Sequence, residues 1–514
     1  MDKQDFSYKV VKNTVFNIIG YSWMIIVTLF LTPYIIRHVG IERYGIWVII
    51  GLVTGYFGLL DFGIGQSFVK FISESYTKGD YKGINGIVNT GLWFYSIFGI
   101  LCIVGGFFFI EPILSFFKIP PYLHNEASFI FLLGIAIFCV SGAISPFIEI
   151  QKGLQRMDIT NKVTIGMSVP LMVGTVFFLQ KGYGLRGLMV NNGLLLIIGS
   201  AVNIIVAFRL IPGLKIDPFL KNNRTFKVLF MYGYKVQVSK LASMLHFQLD
   251  RLIIAHFLNV GLVTYYSVAA QIAHKMRSIP VVLISAIFPA AAELDAKQDN
   301  DSLSQLYYRS LKYLVVMSMP LSIAVIFMAR PFINLWLGAG YEKSVITLQI
   351  LSFAYFINIL TGPGYFILNG MGKPEYSMKA SLLGGFLNLI LSIFLAIKMG
   401  YFGVVIATAC ALSIGAFYFT IFAVKVLNIQ FWSMYSKIFV KPLLASAISF
   451  LIIFFAANKL LHFGWHGLIC YAFLYFALFA LIILKIGYLD QFDKSLIRRY
   501  NPLTLFRIKE TKPQ

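Results

Sequence analysis

Long apolar stretches follow one another along almost the whole chain. Windows of about 19 residues, which span the hydrocarbon core of a bilayer, mark each stretch as a membrane helix. The predicted helices are 14–36, 45–70, 91–110, 126–149, 163–180, 187–209, 229–256, 265–289, 311–329, 345–369, 380–397, 403–425, 441–459 and 467–486. No window alternates polar and apolar residues as a strand of a membrane barrel does. The pattern predicts an all-α polytopic membrane protein with about 14 transmembrane helices.

The composition supports this class and excludes others. Of 514 residues, 58% are hydrophobic and 12% are charged, whereas a soluble domain has about 25% charged residues. A soluble enzyme, a disordered chain and a disulfide-rich secreted domain are therefore excluded. The four cysteines lie in apolar segments without a C-x-x-C spacing, and we interpret them as buried apolar residues; they are Cys102, Cys139, Cys410 and Cys470. The sequence contains no cluster of metal ligands.

The basic excess follows the predicted topology. The chain has 43 Lys and Arg against 21 Asp and Glu. The two termini and the loops on their side hold 29 of the basic residues, and the opposite loops hold 9. Because cytoplasmic loops collect Lys and Arg, both termini are predicted to be cytoplasmic. This topology accounts for most of the net charge, and nucleic-acid binding is not needed to explain it.

Short matches recur at a nearly constant spacing. Residues 39–45 (VGIERYG) match 260–266 (VGLVTYY), Glu111-Pro112 match Arg330-Pro331, and Gly182-Tyr183 match Gly400-Tyr401. The matches predict an N-lobe at 1–213, a C-lobe at 214–428, and two added helices with a basic tail at 429–514. Six helices per copy make the repeat parallel, an arrangement common in transporters that rock two lobes around a site between them. A duplication retained only for stability is the alternative.

Ionisable residues inside apolar helices mark a candidate site, because each costs roughly 2.5–3.5 kcal/mol at mid-bilayer without a partner. Helix 229–256 carries Lys235, Lys240, His246 and Arg251, and helix 265–289 adds His274 and Arg277. We predict that they form a cationic wall that binds an anionic substrate, most simply a phosphate or pyrophosphate, since Arg and Lys both bind phosphate. The alternative is that residues near helix ends, such as Lys235, extend their charges to the membrane surface.

Three acidic residues are candidates for ion coupling or gating: Asp61, Glu149 and Asp250. Asp250 is also predicted to hold Arg251 or Lys240 while the substrate site is empty. For Asp61 and Glu149 the alternative is a structural carboxylate at a hinge or near the cytoplasmic surface. No ATPase or catalytic motif is found, so the prediction is a transporter and not an enzyme. It needs no cofactor, and its candidate coupling ions are H⁺ and Na⁺.

The chain resembles the polysaccharide-transporter branch of the multidrug/oligosaccharidyl-lipid/polysaccharide exporter superfamily. The resembling residues are Gly40…Glu42…Tyr44-Gly45, Leu60-Asp61-Phe62-Gly63-Ile64-Gly65-Gln66, Glu74…Gly79-Asp80, Gly153-Leu154-Gln155-Arg156, and Asp250-Arg251 followed by a short turn to Tyr265. The resemblance implies a V-shaped fold of two six-helix lobes plus two helices. It also implies a flippase that moves undecaprenyl-pyrophosphate-linked oligosaccharide across the bacterial inner membrane for O-antigen, capsule or exopolysaccharide synthesis. The implied partners are this lipid-linked substrate, membrane lipids and other polysaccharide-assembly proteins.

Three other functions stay open. A peptidoglycan-precursor flippase has the same 14-helix plan and a cationic cavity. A drug or cation antiporter of the same superfamily is disfavoured by the basic residues. A membrane glycosyltransferase or polymerase is disfavoured because the loops opposite the termini are short; the longest runs from about Glu111 to Asn125.

Overall fold

The computed structural model describes residues 3–57, 64–217, 220–284, 287–457, 463–493 and 495. These residues are predominantly helical, and none of them lies in a β-strand. The helices are α1 (Lys3–Val39), α2 (Ile41–Phe57), α3 (Ile64–Thr77), α4 (Tyr81–Phe116), α5 (His124–Gly153), α6 (Met157–Gln180), α7 (Gly184–Leu210), α8 (Asn223–Ile253), α9 (Val260–Ile284), α10 (Ile287–Ala296), α11 (Asn300–Leu337), α12 (Glu342–Ile359), α13 (Gly362–Gly370), α14 (Glu375–Met399), α15 (Tyr401–Val426), α16 (Phe431–Ala457) and α17 (Gly464–Lys485). A 3₁₀ turn covers Pro121–Leu123, and a π turn, Ile254–Leu258, extends α8.

Each predicted span overlaps one helix or a pair of consecutive helices. Eleven segments within the described residues are long and apolar enough to cross a membrane. The spans predicted at 45–70, 229–256 and 265–289 are not among them, so the count of fourteen is approximate. Most helices extend beyond their apolar windows, as α4 does at Tyr81–Phe116 around the predicted 91–110. These additional turns carry polar residues. Their backbone continues the helical hydrogen-bond pattern beyond the apolar window.

The helix starts repeat along the chain. The first helices α1, α2, α4, α5, α6 and α7 begin at residues 3, 41, 81, 124, 157 and 184. Their counterparts α8, α9, α11, α12, α14 and α15 begin at 223, 260, 300, 342, 375 and 401, which is 217–220 residues later in every case. This order agrees with the predicted duplication, and α16 and α17 follow it as the two added helices.

Equivalent glycines mark the same helix crossing in both copies. A Cβ on Gly153 would lie 3.3 Å from the carbonyl oxygen of Val69, and one on Gly370 would lie 2.7 Å from that of Phe288. Gly153 ends α5, which crosses α3 there, and Gly370 ends α13, which crosses α10. The close backbone approach explains why a residue without a side chain occupies each position.

Contacts among the helices divide the chain into two compact units. The first comprises residues 1–268 and 384–408, and the second comprises 269–383 and 409–514. A buried apolar cluster around Phe68 and Phe147 stabilises the first unit, and one around Tyr307 stabilises the second. The predicted lobe boundaries at 213 and 428 lie between α7 and α8 and between α15 and α16. The lobes themselves stay a prediction.

In the first unit, the connection between the two copies is attached to α4. The described part of this connection, residues 211–217 and 220–222, runs beside the buried amides of Asn85 and Asn89. Asn85 Oδ1 accepts a hydrogen bond from the backbone N–H of Lys215 at 2.8 Å. Asn89 donates to the Lys215 carbonyl at 2.7 Å and accepts from the backbone N–H of Asp217 at 2.8 Å. The side-chain amides of Asn85 and Asn89 thus provide hydrogen-bond partners for backbone N–H and C=O groups of the connection.

In the second unit, a buried ion pair joins α11 to the segment after α17. Lys312 and Asp493 are 4% and 3% exposed, and the ammonium group of Lys312 donates to the Asp493 carboxylate. Asp490 lies 3.3 Å from the same ammonium group, and Tyr313 donates to Asp493 at 2.5 Å. Tyr488 donates to the carbonyl of Ile438 on α16 at 2.9 Å. We call residues 488–493 the C-terminal clamp.

Candidate functional site

A buried carboxylate on α8 lies at the centre of a polar cluster in the first unit. Asp250 is 1% exposed although it lies in a helix among apolar spans. One carboxylate oxygen accepts a hydrogen bond from the hydroxyl of Tyr266 on α9. The other accepts from the side-chain amide of Asn388 on α14 at 2.9 Å, and the hydroxyl of Thr408 on α15 lies nearby. The cluster therefore brings the consecutive helices α8 and α9 together with α14 and α15, which lie far from them in sequence.

Further oxygen atoms surround this carboxylate. Asn388 Oδ1 accepts from the hydroxyl of Ser392 at 2.9 Å, and Thr408 donates to the carbonyl of Val404 at 3.0 Å. Ser392 and Thr408 are both buried. Carboxylate, amide, hydroxyl and carbonyl oxygens are the ligands that hard cations prefer. The cluster, which we call the Asp250 site, thus has the chemistry to hold either a small hard cation or a proton.

Asp250 does not form the expected ion pair with Arg251, and the side chain of Lys240, the alternative partner, lies outside the described part of the chain. The carboxylate bonds to uncharged donors, and Arg251 contributes only a weaker, longer-range attraction. Helix geometry explains this difference, because successive residues are separated by about 100° around the helix axis. Asp250 therefore faces α9, α14 and α15, whereas Arg251 lies near two tyrosines of α2.

Arg251 has an unsatisfied donor. Its buried Nε–H has no hydrogen-bond partner among the residues that the structure describes. The guanidinium group lies within electrostatic reach of the hydroxyls of Tyr44 and Tyr56. A Cβ on Gly45 would clash with the carbonyl oxygen of Val260, so this glycine lets α2 lie directly against the start of α9. A buried charged donor without an acceptor is costly, and an anionic ligand can satisfy it.

A second basic group lies on α9 in the second unit. Arg277 Nε donates to the amide oxygen of Asn358 on α12 at 2.9 Å. The exposed His274 meets the ring of Tyr355 edge to face, with the centroids 6.4 Å apart. Arg277 is thus positioned in part by a neutral partner.

The other predicted site residues divide into two groups. Lys235, Lys240 and His246 lie on α8, but their side chains are outside the described part of the chain, as is all of Asp61. Glu149 forms an ion pair with Lys152 at 2.7 Å, one turn from the end of α5. This pairing favours the structural alternative for Glu149.

Sequence reasoning missed the partners of the acidic and basic residues. Tyr266, Asn388, Ser392 and Thr408 complete the Asp250 site, and Asn358 positions Arg277. One signal was available: Asn388 and Ser392 lie four residues apart in an apolar helix, on one face. Polar residues at this spacing inside a span indicate an interior surface.

The fold is similar to that of several solved membrane proteins. It is similar to the lipid II flippase MurJ in an inward closed conformation, with a TM-score of 0.69, 16% identity, and coverage of 92% of this chain and 98% of that one. It is also similar to an inward-facing multidrug resistance MATE family transporter, with a TM-score of 0.67, 14% identity, and coverage of 78% and 94%.

Sequence comparison defines the family. Residues 36–346 match the family described as "Polysaccharide biosynthesis protein", and the chain belongs to this family. A candidate O-antigen transporter of Shigella flexneri is 23% identical over 77% of this chain and 94% of its own length. A candidate flippase of low-salt glycan biosynthesis from Haloferax volcanii is 21% identical over 74% of this chain and 76% of its own length.

Proposed function

We propose that the protein is a flippase for a lipid-linked glycan precursor in polysaccharide biosynthesis. Its substrate is an undecaprenyl-pyrophosphate-linked oligosaccharide repeat unit, which it moves across the bacterial inner membrane. Membership of the polysaccharide biosynthesis family and the names of the two relatives support this function. The observation that carries the proposal is the buried, unsatisfied Nε–H of Arg251, which calls for an anionic ligand.

The basic residues bind the pyrophosphate while it is removed from water. Arg251 offers a planar set of donors that matches two phosphate oxygens at once. Arg277, oriented by its hydrogen bond to Asn358 in the second unit, is a separate candidate for binding an anion. Lys235 and Lys240 add positive charge along the same region, and His246 and His274 add imidazole groups that can donate hydrogen bonds. Each of these charges offsets part of the cost of dehydrating the phosphates.

The Asp250 site couples transport to an ion gradient. Binding of Na⁺, or of a proton, replaces the hydrogen bonds that Asp250 now accepts from Tyr266 and Asn388. Those bonds hold α8 against α9 and α14, so occupation by an ion changes the free energy of that helix contact. An ion that binds one arrangement of the helices more tightly shifts the population towards it.

Reconstituted transport tests the substrate assignment. The purified chain is placed in liposomes with a fluorescent undecaprenyl-pyrophosphate oligosaccharide, and the labelled lipid in each leaflet is measured. Arg251→Gln and Arg277→Gln should each abolish transport, while Arg330→Gln, which removes an exposed ion pair with Glu342, should not. Wild-type activity in both of the first two variants would refute the assignment.

A second assay separates the coupling ion from the substrate. Transport is driven by an imposed Na⁺ gradient or by an imposed pH gradient. Asp250→Asn should remove the stimulation by whichever gradient is effective and leave binding of the lipid-linked substrate intact. Stimulation that is equal in Asp250→Asn and in the wild type would exclude the Asp250 site from coupling.

The similarity to MurJ supports a second candidate, a peptidoglycan-precursor flippase. Replacement of the essential flippase of a bacterium separates the two candidates. Growth on this chain alone would favour the peptidoglycan precursor, and failure to grow, combined with transport of the oligosaccharide lipid, would favour the first proposal.

A further inference from the structure

An open cavity of about 530 Å³ lies in the second unit, where α15 ends and α16 begins beside the first turns of α11. Among the described residues that line it are two cations, Arg309 and Lys437, and no acidic residue. Gln305 and Tyr308 add hydrogen-bonding groups, and Met434 adds an apolar surface. The lining combines positive charge with one apolar side.

The internal repeat shows why this cavity is open. Since α4 and α11 begin at residues 81 and 300, Asn85, Asn89 and Thr90 correspond to Ser304, Tyr308 and Arg309. In the first unit these side chains bond to the connection 211–222, and Thr90 accepts from the backbone N–H of Asn222 at 3.1 Å.

The corresponding connection in the second unit is much shorter. It contains only residues 427–430, and its carbonyl at Leu427 accepts from Ser304 at 2.9 Å. A connection of four residues is too short to cover the start of α11 in the way that the longer connection covers the start of α4. Where the first copy has Asn89 and Thr90, the second has Tyr308 and Arg309. The surface has thus exchanged neutral groups that bind its own backbone for a group that binds anions.

The C-terminal clamp orients Arg309. Its guanidinium carbon lies 3.8 Å from the ring centroid of Phe492, and its Nη1 lies 4.0 Å from a carboxylate oxygen of Asp490. Stacking on a ring leaves the edge of a guanidinium group available for hydrogen bonds. Lys437 is exposed in the second turn of α16, near the positive end of the helix dipole. The two cations and the helix end favour an anion.

We propose that this cavity binds the phosphate of an anionic headgroup, and that its source is a phospholipid of the adjacent leaflet. The cavity lies at the ends of membrane helices, on the side that the loop charges predict to be cytoplasmic, which is where headgroups lie. Met434 and Ile429 can contact the glycerol and the first methylene groups. The site is on α11, α15 and α16, and it is separate from the residues of α8 and α9 that bind the transported lipid.

Nanodiscs of defined composition test this site. The full chain is placed in phosphatidylcholine nanodiscs, and the midpoint of thermal unfolding is measured as phosphatidylglycerol replaces phosphatidylcholine. Phosphatidylglycerol should raise the midpoint in the wild type. Lys437→Gln and Arg309→Gln should each raise the half-saturating fraction of phosphatidylglycerol about fivefold, the effect of one basic residue at a charged surface. Arg224→Gln, which removes a cation from a different surface cavity, is the matched control and should respond like the wild type.

Lys437→Gln keeps the test decisive if Arg309→Gln does not fold, because the exposed Lys437 is outside the clamp. A parallel series adds inorganic phosphate to the protein in a neutral detergent. Stabilisation by phosphatidylglycerol alone assigns the site to lipid, and equal stabilisation by inorganic phosphate assigns it to a soluble phosphate. An unchanged response in Lys437→Gln, or an equal loss in Arg224→Gln, would overturn the proposal.

Discussion

The buried ion pair of the C-terminal clamp allows a quantitative test. Lys312→Met keeps the length of the side chain and removes its charge. Asp493 would stay buried at 3% exposure, with only the hydroxyl of Tyr313 and the backbone N–H of Asp490 as donors. Removing one partner of a buried ion pair costs about 3–5 kcal/mol, because the other charge is left uncompensated. We expect the free energy of unfolding to fall by this amount.

The measurement is equilibrium unfolding of the purified protein in mixed micelles, followed by tryptophan fluorescence. Lys297→Met is the control, since it removes an ion pair of similar length, 2.6 Å to Glu293, in which both side chains are more than 60% exposed. It should unfold like the wild type. The double variant Lys312→Met with Asp493→Leu should recover much of the lost stability, because an apolar pair can replace a buried ion pair. Wild-type stability of Lys312→Met alone would refute the reasoning.

Three further predictions concern other parts of the fold. Asn89→Ala should expose the connection between the two copies to proteolysis and lower the unfolding free energy by about 1.5–4.5 kcal/mol, since three hydrogen bonds of about 0.5–1.5 kcal/mol each are lost, two to the connection and one to the Asn85 carbonyl. Gly370→Ala should lower the thermal midpoint, because its Cβ would lie 2.7 Å from a backbone oxygen, whereas Gly385→Ala, with nothing within 4 Å, should not. The backbone N–H of Asp493 and the charge of Lys312 lower the pKa of Asp490 below its ordinary 3.8. A lowered folded-state pKa stabilises the folded protein above pH 3.8, so this contribution to the unfolding free energy should be lost as pH falls below that value. In Asp490→Asn, acid titration of the unfolding free energy should show no such loss.

Much of the fold follows from local pattern. Each apolar window corresponds to one helix or to two consecutive helices, because a backbone inside a bilayer must satisfy its own hydrogen bonds. The Gly182-Tyr183 and Gly400-Tyr401 matches indicated the duplication; the first lies in the turn just before α7, and the second lies where α15 begins. Helix ends were predicted less well, because polar terminal turns such as the first turn of α4 lack a hydropathy signal.

The candidate site depends on contacts that no local pattern encodes. Asp250 and Arg251 were identified because charge is rare in an apolar helix. Their different partners could not be predicted, since Asn388 is 138 residues from Asp250 and Tyr266 is 16 away on another helix. Helix geometry separates the two side chains, but packing determines which neighbour each one meets.

The long separation between Asp250 and Asn388 has a consequence for biogenesis. During synthesis α8 enters the membrane before α14 has been made. The Asp250 side chain must therefore pass through the insertion machinery without Asn388, one of its hydrogen-bond partners in the folded protein. An ionised group at mid-bilayer opposes insertion by about 2.5–3.5 kcal/mol. Chains truncated before Asn388 should therefore be retained by the insertion machinery or degraded, and α8 can settle stably only once the later helices arrive.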